Sequence, residues 1–139
     1  MKFFSALIMT AMLMVGSMAW ANESSLPATP GQTAQDFINF INSRLEGKIV
    51  RDMKFVTSRI FRHKGEVMFG ILLEAQTQGL KAHIEQDKDG FVDGFIVSFV
   101  NGLAPEVRAD MKTHFTHIVV NVMWAGTGNQ IAVKKRNLH

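Results

Sequence analysis

An acidic segment has the residue types of a calcium-binding loop. Asp87, Asp89 and Asp93 fall where an EF-hand loop places its third, fifth and ninth residues, and Gly90 falls at its turn. The last position of such a loop needs a bidentate carboxylate, and here it is occupied by Ile96. Because a type I turn closed by Gly90 explains the same residues without a metal, we favour the turn.

Two histidines suggest a second metal site. Asp110, His114 and His117 share one face if a single helix runs through all three. A change from helix to strand near Phe115 would separate them, and two partly exposed histidines at a helix end are the simpler interpretation. We therefore expect no metal and no other cofactor.

No residue pattern identifies a catalytic centre. The chain has no Cys and no G-x-S-x-G motif, and its AGTGNQ segment lacks the Lys and the following helix of a phosphate-binding loop. Paired carboxylates such as Glu106 and Asp110 fall in turns or first helical turns, where solvent exposure is expected. These absences favour a protein that is not an enzyme, with a small enzyme of unknown reaction as a remaining alternative.

Two segments, Thr33–Glu46 and Ala104–Phe115, have the spacing of amphipathic helices. The first begins at a capping Thr33, or at Thr29, and stops at Gly47, while the second has Pro105 in its first turn. The apolar residues that recur at helical intervals are Phe37, Phe40, Ile41 and Leu45 in the first segment and Val107, Met111 and Phe115 in the second.

The segment between the two helices favours strands. The apolar spacing of Lys48–His63 fits both a helix and a strand, but its β-branched and aromatic composition is typical of a strand. Gly65 supplies a tight turn before the run VMFGILLEA. Between Gly79 and Val100, alternation at period two predicts a hairpin around the Asp87–Gly90 turn.

The return strand of that hairpin, FVDGFIVSFV, would place Phe91, Phe95 and Phe99 in one row with a bulge near Gly94. After the second helix, HIVVNVMW and IAVKK predict a closing hairpin. The expected fold class is α+β, with two helices packed on one face of a curved antiparallel sheet that consists of a meander and a C-terminal hairpin. Residues 33–139 would form this single domain.

The first 21 residues have the pattern of a cleaved export signal. A basic Lys2 precedes an apolar stretch, and the tripeptide AWA predicts cleavage after Ala21. A polar tether over residues 22–32 would then precede the fold, and an uncleaved membrane anchor is the alternative. An exported chain without Cys suits a bacterial periplasm, with secretion as a second possibility.

Charge is segregated along the chain. Basic residues dominate from Arg44 to Lys64, acidic residues from Glu66 to Asp110, and basic residues again from Met111 onward. The overall net charge of +3 is too small to predict nucleic-acid binding. We expect a basic and an acidic edge that dock a protein partner or a second copy of the chain, unless folding mixes the charges. The predicted partner-binding residues are Arg51, Lys54, Arg59, Arg62, Lys64, Lys134, Lys135 and Arg136.

The expected function is that of an exported, periplasmic protein-binding domain that assists envelope assembly or secretion. The first alternative is a carrier of a small apolar ligand or lipid, in which Phe91, Phe95 and Phe99 line a cavity. The C-terminal basic tail could also touch an anionic membrane surface, although its three clustered charges are marginal as a sole anchor.

Overall fold

The structure, a computed structural model, describes residues 33–139. The export signal predicted at residues 1–21 and the tether predicted at residues 22–32 lie outside this range. Within residues 33–139, no helix is both long and apolar enough to cross a membrane.

Four helices and five strands make up the described part of the chain. The elements, in chain order, are α1 (Ala34–Leu45), β1 (Ile49–Val50), β2 (Met53–His63), β3 (Glu66–Ala75), α2 (Gln78–Gln86), α3 (Lys88–Gly102), α4 (Pro105–His114), β4 (His117–Trp124) and β5 (Gln130–Asn137). The sheet order is β1-β2-β3-β4-β5, so the expected α+β class is confirmed.

The two predicted helices are confirmed as α1 and α4. Thr33 caps α1, since its Oγ1 accepts a hydrogen bond of 3.0 Å from the backbone N–H of Asp36. Pro105 occupies the first turn of α4, where its missing N–H costs nothing. Both helices bury one stripe and leave polar residues on the other side.

The segment Lys48–His63, whose spacing fitted both a helix and a strand, forms β1 and β2. β2 pairs with β3 through a tight turn at Lys64 and Gly65. These two residues have φ angles of +48° and +80°. Two-residue hairpin turns of type I′ require such positive φ angles at both central positions. Gly65 adopts this conformation without strain because it has no Cβ.

The predicted hairpin between Gly79 and Val100 is wrong, because this segment forms α2 and α3. Phe91, Phe95 and Phe99 are spaced by four residues, a spacing that puts them on one face of a strand or of a helix. Val92 and Ile96 are also buried. A helix can bury them on the same side as the phenylalanines, whereas a strand would direct them to the opposite face, which was expected to be exposed to solvent.

The residues taken for a type I turn form the first turn of α3. The Asp87 carboxylate accepts a hydrogen bond of 3.0 Å from the backbone N–H of Gly90 and so caps the helix. A type I turn and a first helical turn share nearly the same backbone angles and the same preference for Asp at their start. The local sequence therefore did not distinguish them.

The predicted antiparallel meander is confirmed for β1, β2 and β3, but it ends at β3 because α2, α3 and α4 occupy the middle of the chain. These helices return the chain to the end of the sheet where β3 began, and β4 pairs with β3 in parallel. The other three strand pairs are antiparallel, and β4 and β5 form the predicted C-terminal hairpin.

One face of the sheet carries the core. The buried row of β3, which contains Phe69, Ile71 and Leu73, belongs to the same apolar cluster as the buried residues of all four helices. The alternate row of β3, which contains Met68 and Leu72, is only partly buried. The helices therefore pack on one face, as expected, and leave the opposite face open to solvent.

We expect Gly65→Ala to lower the free energy of unfolding by about 1 kcal/mol, because Ala is strained at a positive φ. Gly94→Ala is the matched control, since a Cβ at Gly94 meets no atom within 4 Å and this position lies inside α3. This control should raise the stability by about 0.5–1 kcal/mol. Urea unfolding measures the change in the free energy of unfolding of each variant, and we expect the two changes to have opposite signs. Two changes of the same sign would contradict the turn at Gly65 or the helix at Gly94.

Candidate functional site

The end of β2 and its turn to β3 present a cationic, partly aromatic surface. Arg59, Phe61, Arg62 and Lys64 are all exposed, and the Phe61 side chain keeps 43% of its surface accessible. We call these four residues the β2 basic edge. The other two predicted basic residues of this region, Arg51 and Lys54, lie at the opposite end of β2.

None of the basic side chains along β2 has a neutralising partner within the described part of the chain. Among residues 33–139, no carboxylate oxygen lies within 4.0 Å of the charged nitrogens of Arg51, Lys54, Arg59, Arg62 or Lys64. The charges of this surface are therefore directed at solvent.

The basic residues of β5 have a different environment. The Nζ atom of Lys134 lies 3.0 Å from Asp93, and a nitrogen of Arg136 lies 3.6 Å from the same carboxylate. Lys135 forms an ion pair of 2.8 Å with Glu66. Folding thus pairs the charges of the tail with those of the acidic segment, whereas among residues 33–139 the cations of the β2 basic edge keep no carboxylate within 4.0 Å, although the Glu46 carboxylate accepts a hydrogen bond of 2.7 Å from Thr57 farther along β2.

The ion pair of Glu66 affects its titration. The hydrogen bond from Lys135 lowers the pKa of the Glu66 carboxyl, and the nearby His117 ring acts in the same direction. This exposed pair links the start of β3 to β5 as long as the carboxyl stays ionised, and it contributes little to stability because solvent screens it.

A side chain of α1 binds the backbone of β2 at Ser58. The Asn42 amide donates a hydrogen bond of 3.0 Å to the Ser58 carbonyl and accepts one of 2.8 Å from the Ser58 N–H. The Ser58 hydroxyl donates a third bond of 2.8 Å to the same Asn42 oxygen. This contact lies next to an irregularity in the β2–β3 register, between Phe55 and Thr57. Sequence reasoning missed it because the two residues are distant along the chain and each is ordinary in its own segment.

Exposed large apolar side chains among the described residues are concentrated on the open face of the sheet. Of their four exposed large apolar side chains, Ile49, Phe61 and Val133 lie in rows of this face, and Val97 lies on α3. The Phe61 ring covers Gly70 of β3, where a Cβ would clash with it. The aromatic residue of the β2 basic edge is thus held in a defined position by the neighbouring strand.

The residues predicted for calcium are not arranged as a loop. Asp87 caps α3, Asp89 is exposed in its first turn, and Asp93 is paired with cations of β5. Across residues 33–139, no group of three His, Cys, Asp or Glu side chains is placed to hold a metal ion.

The predicted histidine pair is divided between two elements. His114 ends α4 and lies 3.5 Å from Asp110, whereas His117 begins β4 and lies 3.7 Å from Glu66. The change from helix to strand at Phe115 separates them, so that His114 alone lies at the helix end.

Asp110 is the one carboxyl in the described residues whose pKa is clearly raised. Burial raises it above the ordinary value of 3.8, His114 acts against this, and Asp36 on α1 adds to it. One carboxylate oxygen of Asp110 is buried without a hydrogen-bond partner. The ionised carboxyl is therefore a source of strain between α1 and α4.

The phenylalanines proposed to line a ligand cavity lie in the core. The rings of Phe95 and Phe99 stack with centroids 5.8 Å apart, Phe99 stacks on Phe69 at 6.0 Å, and Phe91 meets His83 edge-on. A surface cavity of about 180 Å³ lies elsewhere, next to Val97, Lys112 and Arg136. It is smaller than the roughly 300–1,000 Å³ of typical small-molecule sites.

A comparison with protein-family models, curated proteins and solved structures finds no match to this chain. The fold and the surface of the described residues are therefore the basis for a functional proposal.

We expect Asn42→Ala to lower the free energy of unfolding by about 2 kcal/mol, because it leaves the N–H and the hydroxyl of the buried Ser58 without partners and its carbonyl with only a long bond of 3.4 Å from the Thr57 hydroxyl. The matched control is Asn39→Ala on the exposed side of α1, for which a change within about 0.5 kcal/mol is expected. Urea unfolding measures both values, and equal effects would show that the Asn42 contact contributes nothing.

Asp110→Asn should make the protein more stable relative to the wild type as the pH rises from about 3 to about 7. A carboxyl whose pKa is raised by folding favours the folded state when protonated, and this stability is lost as the pH rises through the folded pKa. Thermal unfolding across this range tests the sign. Asp89→Asn removes an exposed charge as the control, and an Asp110→Asn difference that is constant with pH would contradict the assigned strain.

Proposed function

We propose that this chain is an exported, non-enzymatic domain that binds another protein through the β2 basic edge, as an accessory to envelope assembly or secretion. The observation that carries the proposal is the contrast between the two basic regions. The cations of β5 are paired with Asp93 and Glu66, while those of the β2 basic edge are exposed and have no carboxylate within reach among residues 33–139.

The composition of this edge supports a protein partner. Arginine and aromatic residues contribute most of the binding energy in protein interfaces, and here Phe61 lies on the open face beside Arg59, while Arg62 follows it in sequence on the opposite face of the strand. An exposed aromatic ring that already packs on Gly70 loses little freedom when a partner covers it. Unpaired cations around it would attract an acidic partner and orient it.

The same contrast favours β2 over β5 as the surface that the partner binds. A partner that engaged Lys134, Lys135 and Arg136 would have to replace existing ion pairs, whereas one that engages β2 does not. The proposed export rests on the leader pattern of residues 1–21, and it places the partner in the cell envelope or outside the cell.

Photo-crosslinking in the producing cell tests the proposal. A photoreactive amino acid in place of Phe61 should give a defined protein adduct, whereas the same group in place of Val97, which is equally exposed at 44% compared with 43%, should not. Reversing Arg59, Arg62 and Lys64 to Glu should reduce the Phe61 adduct by about tenfold or more, since each lost charge pair weakens association.

Three basic residues of the helices provide the matched charge reversal. Lys88→Glu, Arg108→Glu and Lys112→Glu change the net charge equally but lie away from β2, so the Phe61 adduct should persist. An adduct that survives the β2 reversal, or a protein retained in the cytosol with residues 1–21 uncleaved, would contradict the proposal.

A further inference from the structure

The outer edge of β2 is only partly covered. β1 pairs with Met53 and Lys54 alone, and the Asn42 side chain covers Ser58. Within residues 33–139, no strand pairs with the remainder of this edge, from Arg59 to His63. An uncovered strand edge is a template for another extended chain.

The backbone groups available at this edge belong to Ile60 and Arg62. In an antiparallel pair, alternate residues direct both their N–H and C=O groups either to the partner strand or away from it. Ser58 directs both groups away from β3, since they bind Asn42, and Ile60 and Arg62 follow it at intervals of two. Among the described residues, no group pairs with the outward N–H and C=O of these two residues.

We propose that this edge binds an extended acidic segment of the partner protein by β-strand addition. This inference rests on the proposed function, and it adds the conformation and the chemistry of the partner segment. Antiparallel addition would supply backbone hydrogen bonds to Ile60 and Arg62, while side chains on the two faces would determine which segments are accepted.

The side chains along the edge specify the complementary pattern. The pattern along the edge is a charge, two apolar groups and a charge, from Arg59 to Arg62. Of the two apolar residues, Ile60 packs against the core and Phe61 lies on the open face. Directly opposed residues interact most strongly in a sheet, and opposite charges are favoured there. The matching segment is acidic, apolar, apolar and acidic.

The same pattern argues against a second copy of β2 as the occupant. Antiparallel pairing of two such edges can bond only the outward-facing residues Ile60 and Arg62 to each other, and it brings the cations of both copies together along one short interface, which is unfavourable. A lipid headgroup would neutralise the arginines but would leave the backbone groups of Ile60 and Arg62 without partners. An acidic strand satisfies both requirements.

The test uses the chain labelled with ¹⁵N and a capped peptide of sequence Thr-Glu-Val-Val-Glu-Thr. In antiparallel register the first glutamate lies opposite Arg62 and the second valine opposite Ile60. Peptide addition should slow hydrogen exchange at the amides of Ile60 and Arg62. The amide of Phe61, which points to β3, should already be protected without peptide.

Two N-methylated peptides form the matched control and leave the protein unchanged. Methylation of the second valine removes the amide that faces Ile60 and should weaken binding about tenfold or more. Methylation of the first valine, whose amide points away from β2, should leave the affinity within about twofold. The same peptide with lysines in place of both glutamates should not bind.

The outcomes separate this inference from the proposed function. If the charge reversal at β2 abolishes the crosslink but peptide binding leaves Ile60 and Arg62 unprotected, the partner docks through side chains and strand addition is wrong. Equal losses from both methylated peptides would likewise overturn it. If the peptide protects both amides while the crosslink survives charge reversal, strand addition stands and the proposed cellular role of the edge fails.

Discussion

Phenylalanine contacts around Phe69 are the constraint on which the rest of the domain depends. Phe69 of β3 is fully buried, and it meets Phe37 of α1 edge-on at 5.4 Å, Phe99 of α3 at 6.0 Å and Phe115 at 5.5 Å. Phe37 and Phe115 also meet at 5.6 Å. Because these rings all approach from one side, the helices are held on one face of the sheet, and the other face stays open.

The position of α1 on this cluster determines how much of β2 is covered. Packing through Phe37 brings Asn42 to the outer side of β2, where its amide takes the place of a neighbouring strand at Ser58. Beyond Ser58 the strand continues to the turn at Lys64, and nothing within residues 33–139 pairs with its outer edge there. The exposed edge is thus a direct result of where the helix packs. Its basic side chains, which discourage pairing between identical edges, leave it open to a segment of opposite charge.

The two basic regions of the sequence show how folding assigns different roles to similar residues. The β4–β5 hairpin carries Lys134, Lys135 and Arg136 to the carboxylates of Asp93 and Glu66, where the pairs join β5 to α3 and β3. The cations of β2 have no such neighbours in the described part of the chain. The distinction involves α3, since this helix packs against β5 and carries Asp93 to Lys134 and Arg136.

The amino-acid sequence by itself determined the α+β class, the helices α1 and α4, the strand character of β2 and the turn at Gly65. Each of these depends on short-range periodicity, capping or backbone freedom, which act within a few residues. The helical state of residues 78–102 was decided by tertiary structure. The four-residue spacing of its phenylalanines is compatible with a helix and with a strand, and Asp87 can begin either a turn or a helix. The parallel pairing of β3 and β4 follows from those helices, and so does the pairing of the C-terminal cations. The contact between Asn42 and Ser58 and the free edge beyond it are likewise tertiary, since they join residues that only packing brings together.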